Sequence, residues 1–154
     1  MTALVAGVGC ASGAAAVLLE PRPHDDERMI SQLRRAYDTA PGGRIAATEL
    51  YEGSWNRLQV FAPLTPHRVV AAVSGRVDGL DEPGGDPPRP HALAVFLDGR
   101  SVVAAVEVDR AAVDVTCLDT AGRLASTDEL EVVAAPRGAS APLLARQADS
   151  DCEL

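Results

Sequence analysis

The sequence predicts an α+β fold: a small, mainly antiparallel sheet with two helices packed on one face, preceded by an N-terminal apolar helix. Three observations lead to this reading. Apolar side chains recur at helical spacing in two stretches, near residues 25–40 and 66–75. Runs rich in β-branched and aromatic residues at 55–61, 92–97 and 101–108 are bounded by Gly, Pro and Asp, as strands are. The resulting order is helix, one or two strands, helix, loop, then a run of strands, which suits helices set against one side of an antiparallel sheet. The 154 residues divide into an apolar anchor or signal at 1–24, an α+β domain at 25–135 with a mobile loop at 75–91, and a disordered tail at 136–154.

Residues 3–19 carry no charge, and a helix of that length spans roughly 25 Å, a little short of a bilayer's hydrocarbon core of about 30 Å. Pro21 and Pro23, followed by Asp25, Asp26 and Glu27, end the run sharply, as at a membrane–water boundary. A secretory signal opens on a basic region, and only Met1 and Thr2 precede the run, so the signal reading expects a start further upstream. Cys10 follows Gly7-Val8-Gly9 much as the lipidated cysteine follows a lipoprotein cleavage box, although that box takes a Leu-like residue where Gly7 stands. An uncleaved anchor, a cleaved or lipidated signal and a buried soluble segment all remain open, and Arg22 leaves the orientation open too. On the soluble reading, Gly7, Gly9 and Gly13 imitate a dinucleotide-binding turn. Their spacing is one residue too long and no strand with a ribose-binding acid follows, so no cofactor is expected.

In the domain, Met29, Ile30, Leu33, Ala36 and Tyr37 form one face of a helix that Asp25 or Asp26 caps and Pro41-Gly42-Gly43 stops. Residues 44–50 read as a short strand. In 55–61 polar and apolar residues nearly alternate, as in a strand with one buried face, and Pro63 ends it. Thr65-Pro66 reads as a cap and first-turn pair, Val69, Val70 and Val73 as a helical stripe, and Gly75 as its stop. The Gly/Pro-rich loop that follows holds Asp78, Asp81, Glu82 and Asp86 outside any calcium-loop spacing. Residues 92–97 and 101–108 form a hairpin turned through Asp98-Gly99, and 113–118 and 130–134 are further strands. From Pro136 onward the composition is that of a poorly ordered tail. With aromatic residues at 3% and 47% apolar residues dominated by Ala and Val, the core rests on few anchors, chiefly Trp55, Phe61 and Phe96.

A net charge of -8 opposes a phosphate backbone, so nucleic acid is not an expected partner. Cys10, Cys117 and Cys152 make an odd set without CxxC spacing, which suits neither a zinc site nor a disulfide framework. Cys117 reads as a small core residue and Cys152 as part of the loose tail. A bridge between them would require an oxidising compartment and a tail that folds back. Ser74 lacks a nucleophile elbow, and Cys117 lacks a context that favours thiolate. His24, His67 and His91 are isolated, and Asp128, Glu129 and Glu131 read as solubilising neighbours, so no catalytic residue and no metal ligand set is expected.

The span Trp55-Asn56-Arg57-Leu58-Gln59-Val60-Phe61-Ala62-Pro63-Leu64-Thr65 resembles a signature of small bacterial lipoproteins and membrane-anchored extracytoplasmic proteins, W-D-x-hydrophobic-x-hydrophobic-F-x-P-Y-T. Trp55, Phe61, Pro63 and Thr65 match it. Asn56 replaces its Asp, Ala62 its frequent Gly and Leu64 its Tyr, so no role of that acid or phenol carries over. The resemblance implies an extracytoplasmic domain near a membrane and names no reaction. The expected function is that of a membrane-tethered or exported binding module at the cell envelope, held by its N-terminus and meeting an envelope protein. Secretion is an alternative location; a soluble cytoplasmic regulatory or structural protein, and then a small hydrolase, are the alternative functions.

Overall fold

The computed structural model describes residues 25–74, 90–118, 124–139, 141–148 and 152, the side chains of 25, 26 and 67 excepted. The apolar segment 1–24, including Cys10, most of the expected loop and the turn at 120–122 lie outside these residues. Among the described residues no helix is long and apolar enough to cross a membrane.

The elements in order are α1 (Asp25–Thr39), β1 (Gly43–Ala46), a 3-10 turn (Ala47–Leu50), β2 (Arg57–Phe61), α2 (His67–Ser74), β3 (Ala92–Asp98), β4 (Ser101–Val108), β5 (Asp114–Cys117), β6 (Leu124–Ala125), β7 (Glu129–Ala134) and β8 (Leu143–Gln147). They correct the expected architecture. Eight strands form two four-stranded sheets: sheet I in the order β1-β7-β8-β5 and sheet II in the order β4-β3-β2-β6. All pairs are antiparallel except β5 with β8. The helices do not share a face. α1 lies along the side where β1 and β4 are the sheet edges, while α2 sets Val70 on the outer face of sheet II.

Period-two burial explains why two sheets form. Ile45, Leu58, Ala94, Phe96, Val106, Val115, Leu130, Val132, Leu143 and Ala145 come from both sheets and enclose one common core, which Met29 and Leu33 of α1 seal. Phe96 is its centre, stacked on Tyr51 with ring centroids 5.0 Å apart and met edge-on by Trp55 at 5.1 Å. Both are favourable aromatic geometries. Phe61, Leu93, Val95 and Leu97 point the other way and form a second, smaller core with Val70. The strand at 55–61 was therefore expected to bury one face and in fact buries both.

β8 occupies residues expected in a disordered tail. Leu143 and Ala145 face the core, and the strand is bound on both sides, by β7 and by β5. Only the first half of the strand expected at 44–50 is extended, because the chain tightens into the 3-10 turn that buries Ala47 and Leu50. α1 ends as expected. Gly42 takes a left-handed φ of 74°, and Gly43 lies so close to the Ala36 and Ala40 carbonyls that a side chain has no room.

Two turns carry local consequences. Gly99, at φ 61°, turns the β3–β4 hairpin, and Asn56 clamps it: its amide nitrogen donates to Asp98 at 3.1 Å and its oxygen accepts from the Gly99 N–H at 3.2 Å. An Asp here would set one carboxylate against another. The Thr65 N–H and hydroxyl both donate to the Ala62 carbonyl, at 3.2 and 2.7 Å, closing a turn whose third residue, Leu64, has φ 66°. Thr65 thus closes the turn that leads into α2. Its third position favours glycine, yet Leu64 is 62% exposed there.

Phe96→Ala is expected to lower unfolding stability by about 3–5 kcal/mol, read from urea denaturation. Leu64→Gly should move the urea midpoint upward. It removes a left-handed penalty of about 1–2 kcal/mol against a glycine entropy cost of about 0.5–1 kcal/mol, and Leu64 belongs to neither core cluster.

Candidate functional site

Polar groups gather in three places. On the outer face of sheet I, cross-strand pairing forms a charged ladder: Arg44 on β1 reaches Glu129 on β7 at 3.2 Å, and Arg146 on β8 donates through Nε and Nη2 to Glu131 at 3.1 and 2.8 Å. Asp128 accepts from the Ala125 N–H at 2.9 Å and from the Gln147 side chain at 3.0 Å, holding the β6–β7 turn to β8. These three acids, read from sequence as solubilising neighbours, are structural partners.

Beside the ladder, β5 carries two buried functional groups. Asp114 is 1% exposed. Burial opposes its ionisation, yet the Thr116 hydroxyl at 2.6 Å, the Thr116 N–H at 2.9 Å and the Arg110 guanidinium together hold its carboxyl below the usual carboxylate range. Cys117 is joined to Cys152 by a disulfide, with Cα atoms 5.9 Å apart. Cys117 is buried, as a small core residue is, but it is bonded, and Cys152 is not part of a loose tail, because β8 brings the chain back beside β5.

The second place is a cleft of about 740 Å³ along α1, lined by Glu27, Arg34, Arg35 and Asp38 of the helix and by Asp109 from beyond β4. It is open and mixed in charge. His91 Nδ1 lies 3.8 Å from Asp109, beyond hydrogen-bond range. Among the described residues no three His, Cys, Asp or Glu side chains are grouped to hold a metal ion.

The third place is the outer face of sheet II, where Arg57, Gln59 and Phe61 alternate with the core-facing Leu58. Ser74, at the end of α2, is 3% exposed, and its hydroxyl donates at 2.7 Å to the Gln59 side-chain oxygen. Ser74 is a positioning group for Gln59. Of the signature residues, the fold buries Trp55 and Phe61 in different cores and sets Pro63 and Thr65 in the turn before α2, so they do not converge on one site. Sequence reading missed the polar pair beneath α2. The signal was that Arg57 and Gln59 share a strand face with Phe61, which placed polar groups on a face with an aromatic anchor.

No protein-family model, curated protein or solved structure matches the chain.

Asp114→Asn should destabilise the fold at pH 7 by about 1.5–3 kcal/mol, the scale of hydrogen bonds to a charged group. Because the folded-state pKa is depressed, the advantage of Asp114 is complete above the ordinary aspartate value of about 3.9 and disappears as pH falls through the folded value. The stability difference between wild type and variant, measured by urea denaturation from pH 7 to pH 2, should shrink only below about pH 4.

Proposed function

We propose that this chain is a binding domain of the cell envelope, a disulfide-closed β-sandwich held at or exported across the membrane by its apolar segment at 3–19. The observation that carries this reading is the Cys117–Cys152 bond. Disulfides persist in oxidising compartments and are rare in a reducing cytosol. For a separation of 35 residues, loop closure alone destabilises the unfolded chain by roughly 4 kcal/mol, so the bond is a substantial part of a small domain's stability.

Other features support it. Pairing Cys117 with Cys152 leaves Cys10 as the odd cysteine, inside the apolar run where a lipoprotein would be acylated. The signature residues Trp55, Phe61, Pro63 and Thr65 belong to the resemblance with membrane-anchored extracytoplasmic proteins. The hydroxyls and thiol that could act as nucleophiles have structural partners: Ser74 is committed to Gln59, Cys117 to Cys152, and Thr116 to the buried Asp114, whose charge Arg110 already pairs. A binding role therefore fits the geometry better than hydrolysis.

Fractionation of cells expressing the full chain, with carbonate extraction, protease shaving, mass of the mature N-terminus and thiol alkylation, tests the proposal. The expected result is envelope fractionation, an externally accessible domain, and Cys117 and Cys152 that are alkylated only after reduction. A cytosolic protein whose Cys117 and Cys152 react without reductant would overturn it.

A further inference from the structure

Four arginines among the described residues are half-buried: Arg28, Arg57, Arg110 and Arg146. Three of them hold a carboxylate, Arg28 that of Glu52, Arg110 that of Asp114 and Arg146 that of Glu131. Arg57 holds none among the described residues. Its Nε is buried without a hydrogen-bond partner; those of Arg28 and Arg110 are too, but their guanidinium groups are neutralised through Nη2. Acids are not scarce in a chain with 22 of them against 14 arginines, yet none occurs in sequence between Glu52 and Asp78. Withdrawing a cation from water without a counter-charge is costly, and an anion supplied from outside removes that cost.

Gln59 lies two residues along β2 on the same face, about 7 Å away by strand geometry, within the span of an arginine side chain. It is 7% exposed, and the Ser74 hydroxyl occupies its carbonyl oxygen. That bond fixes the amide and leaves its –NH2 end as donor, with no hydrogen-bond partner among the described residues. A forked cation and a neutral amide donor thus stand two positions apart on one strand face whose nearest groups, Phe61, Val95 and Leu97, are apolar; the acid that the register places on this face, Glu107, stands on β4 opposite Leu93, two strands away from β2.

We propose that Arg57 and Gln59 form a carboxylate-binding site on the outer face of sheet II, with Ser74 as its positioning residue. The guanidinium fork matches the two oxygens of a carboxylate, and its single charge neutralises a monoanion. The chain's net charge of -8 works against dianions and polyanions at long range. The site goes beyond the envelope assignment and does not depend on it.

The test is a titration of the full-length, 15N-labelled protein in non-ionic detergent with butyrate, at constant ionic strength, followed by NMR of side-chain N–H groups. The Arg57 Nε–H and Gln59 –NH2 signals should shift and saturate together, while those of exposed Arg34 and Arg100 stay in place. Arg57→Gln should abolish the saturable shift at Gln59, and Arg57→Lys, which keeps the charge but loses the fork, should weaken binding about tenfold. Ser74→Ala should weaken it and Ser74→Thr restore it, with the fold of each variant confirmed by Trp55 fluorescence. An unresponsive Arg57 in the folded wild type, equal shifts at the exposed arginines, or tighter binding of inorganic phosphate than of butyrate would each overturn the proposal.

Discussion

A strand whose residues Ala92, Leu93, Ala94, Val95, Phe96 and Leu97 are all buried needs a cover on each side, and the rest of the fold meets that need. On one side the cover is sheet I, through Leu130, Val132, Leu143 and Ala145; on the other it is α2, through Val70. α1 then closes the flank where β1 and β4 would expose both the gap between sheets and two strand edges. Open edges are templates for unwanted pairing, and a register shift between Phe96 and Leu97 further interrupts the β4 edge. With so few aromatic residues, the contact of Tyr51, Trp55 and Phe96 concentrates in one place the packing that a richer core would spread over many.

The individual elements were legible in the sequence where periodicity was strong. Met29 and Leu33 marked the buried stripe of α1, the apolar run at 92–97 and Gly99 marked the hairpin, and Trp55, Phe61 and Phe96 are all buried. The architecture was not legible, because the deciding strands are short. β6 has two residues, and β8 is a Leu-Leu-Ala-Arg-Gln run between segments whose composition favours disorder; its place is set by pairing with β7 on one side and with the more distant β5 on the other. Without β8, sheet I is reduced to the β1–β7 pair and β5 has no partner; with it, a second four-stranded sheet is complete. The disulfide was hidden for the same reason, since only the return of β8 brings residue 152 near residue 117.

The polar groups show a similar division between what is local and what is assembled. Asp114 takes its hydrogen bonds from Arg110 and Thr116, four and two residues away, so its partners were close in sequence even though its burial was not apparent. Gln59 and Ser74 are 15 residues apart and meet only because α2 folds back over β2. Buried polar groups that find such partners give a small core a preference for one packing over others, since any alternative leaves them desolvated and unpaired.

The order of strands in sheet I has a consequence for the sequence of events during synthesis. β8 is the last of the described strands to be made, yet it stands between β7 and β5. Until it arrives, β5 has no neighbour in its sheet, the ladder of Arg44, Glu129, Glu131 and Arg146 is incomplete, and Cys117 has no sulfur to meet. Pairings this distant close slowly, and a chain emerging residue by residue cannot finish sheet I from its first hundred residues. Sheet II, whose strands are all made by residue 125, does not wait for β8, whereas sheet I locks only after residues 143–147 are delivered and the disulfide only after residue 152: the domain closes from its C-terminal end.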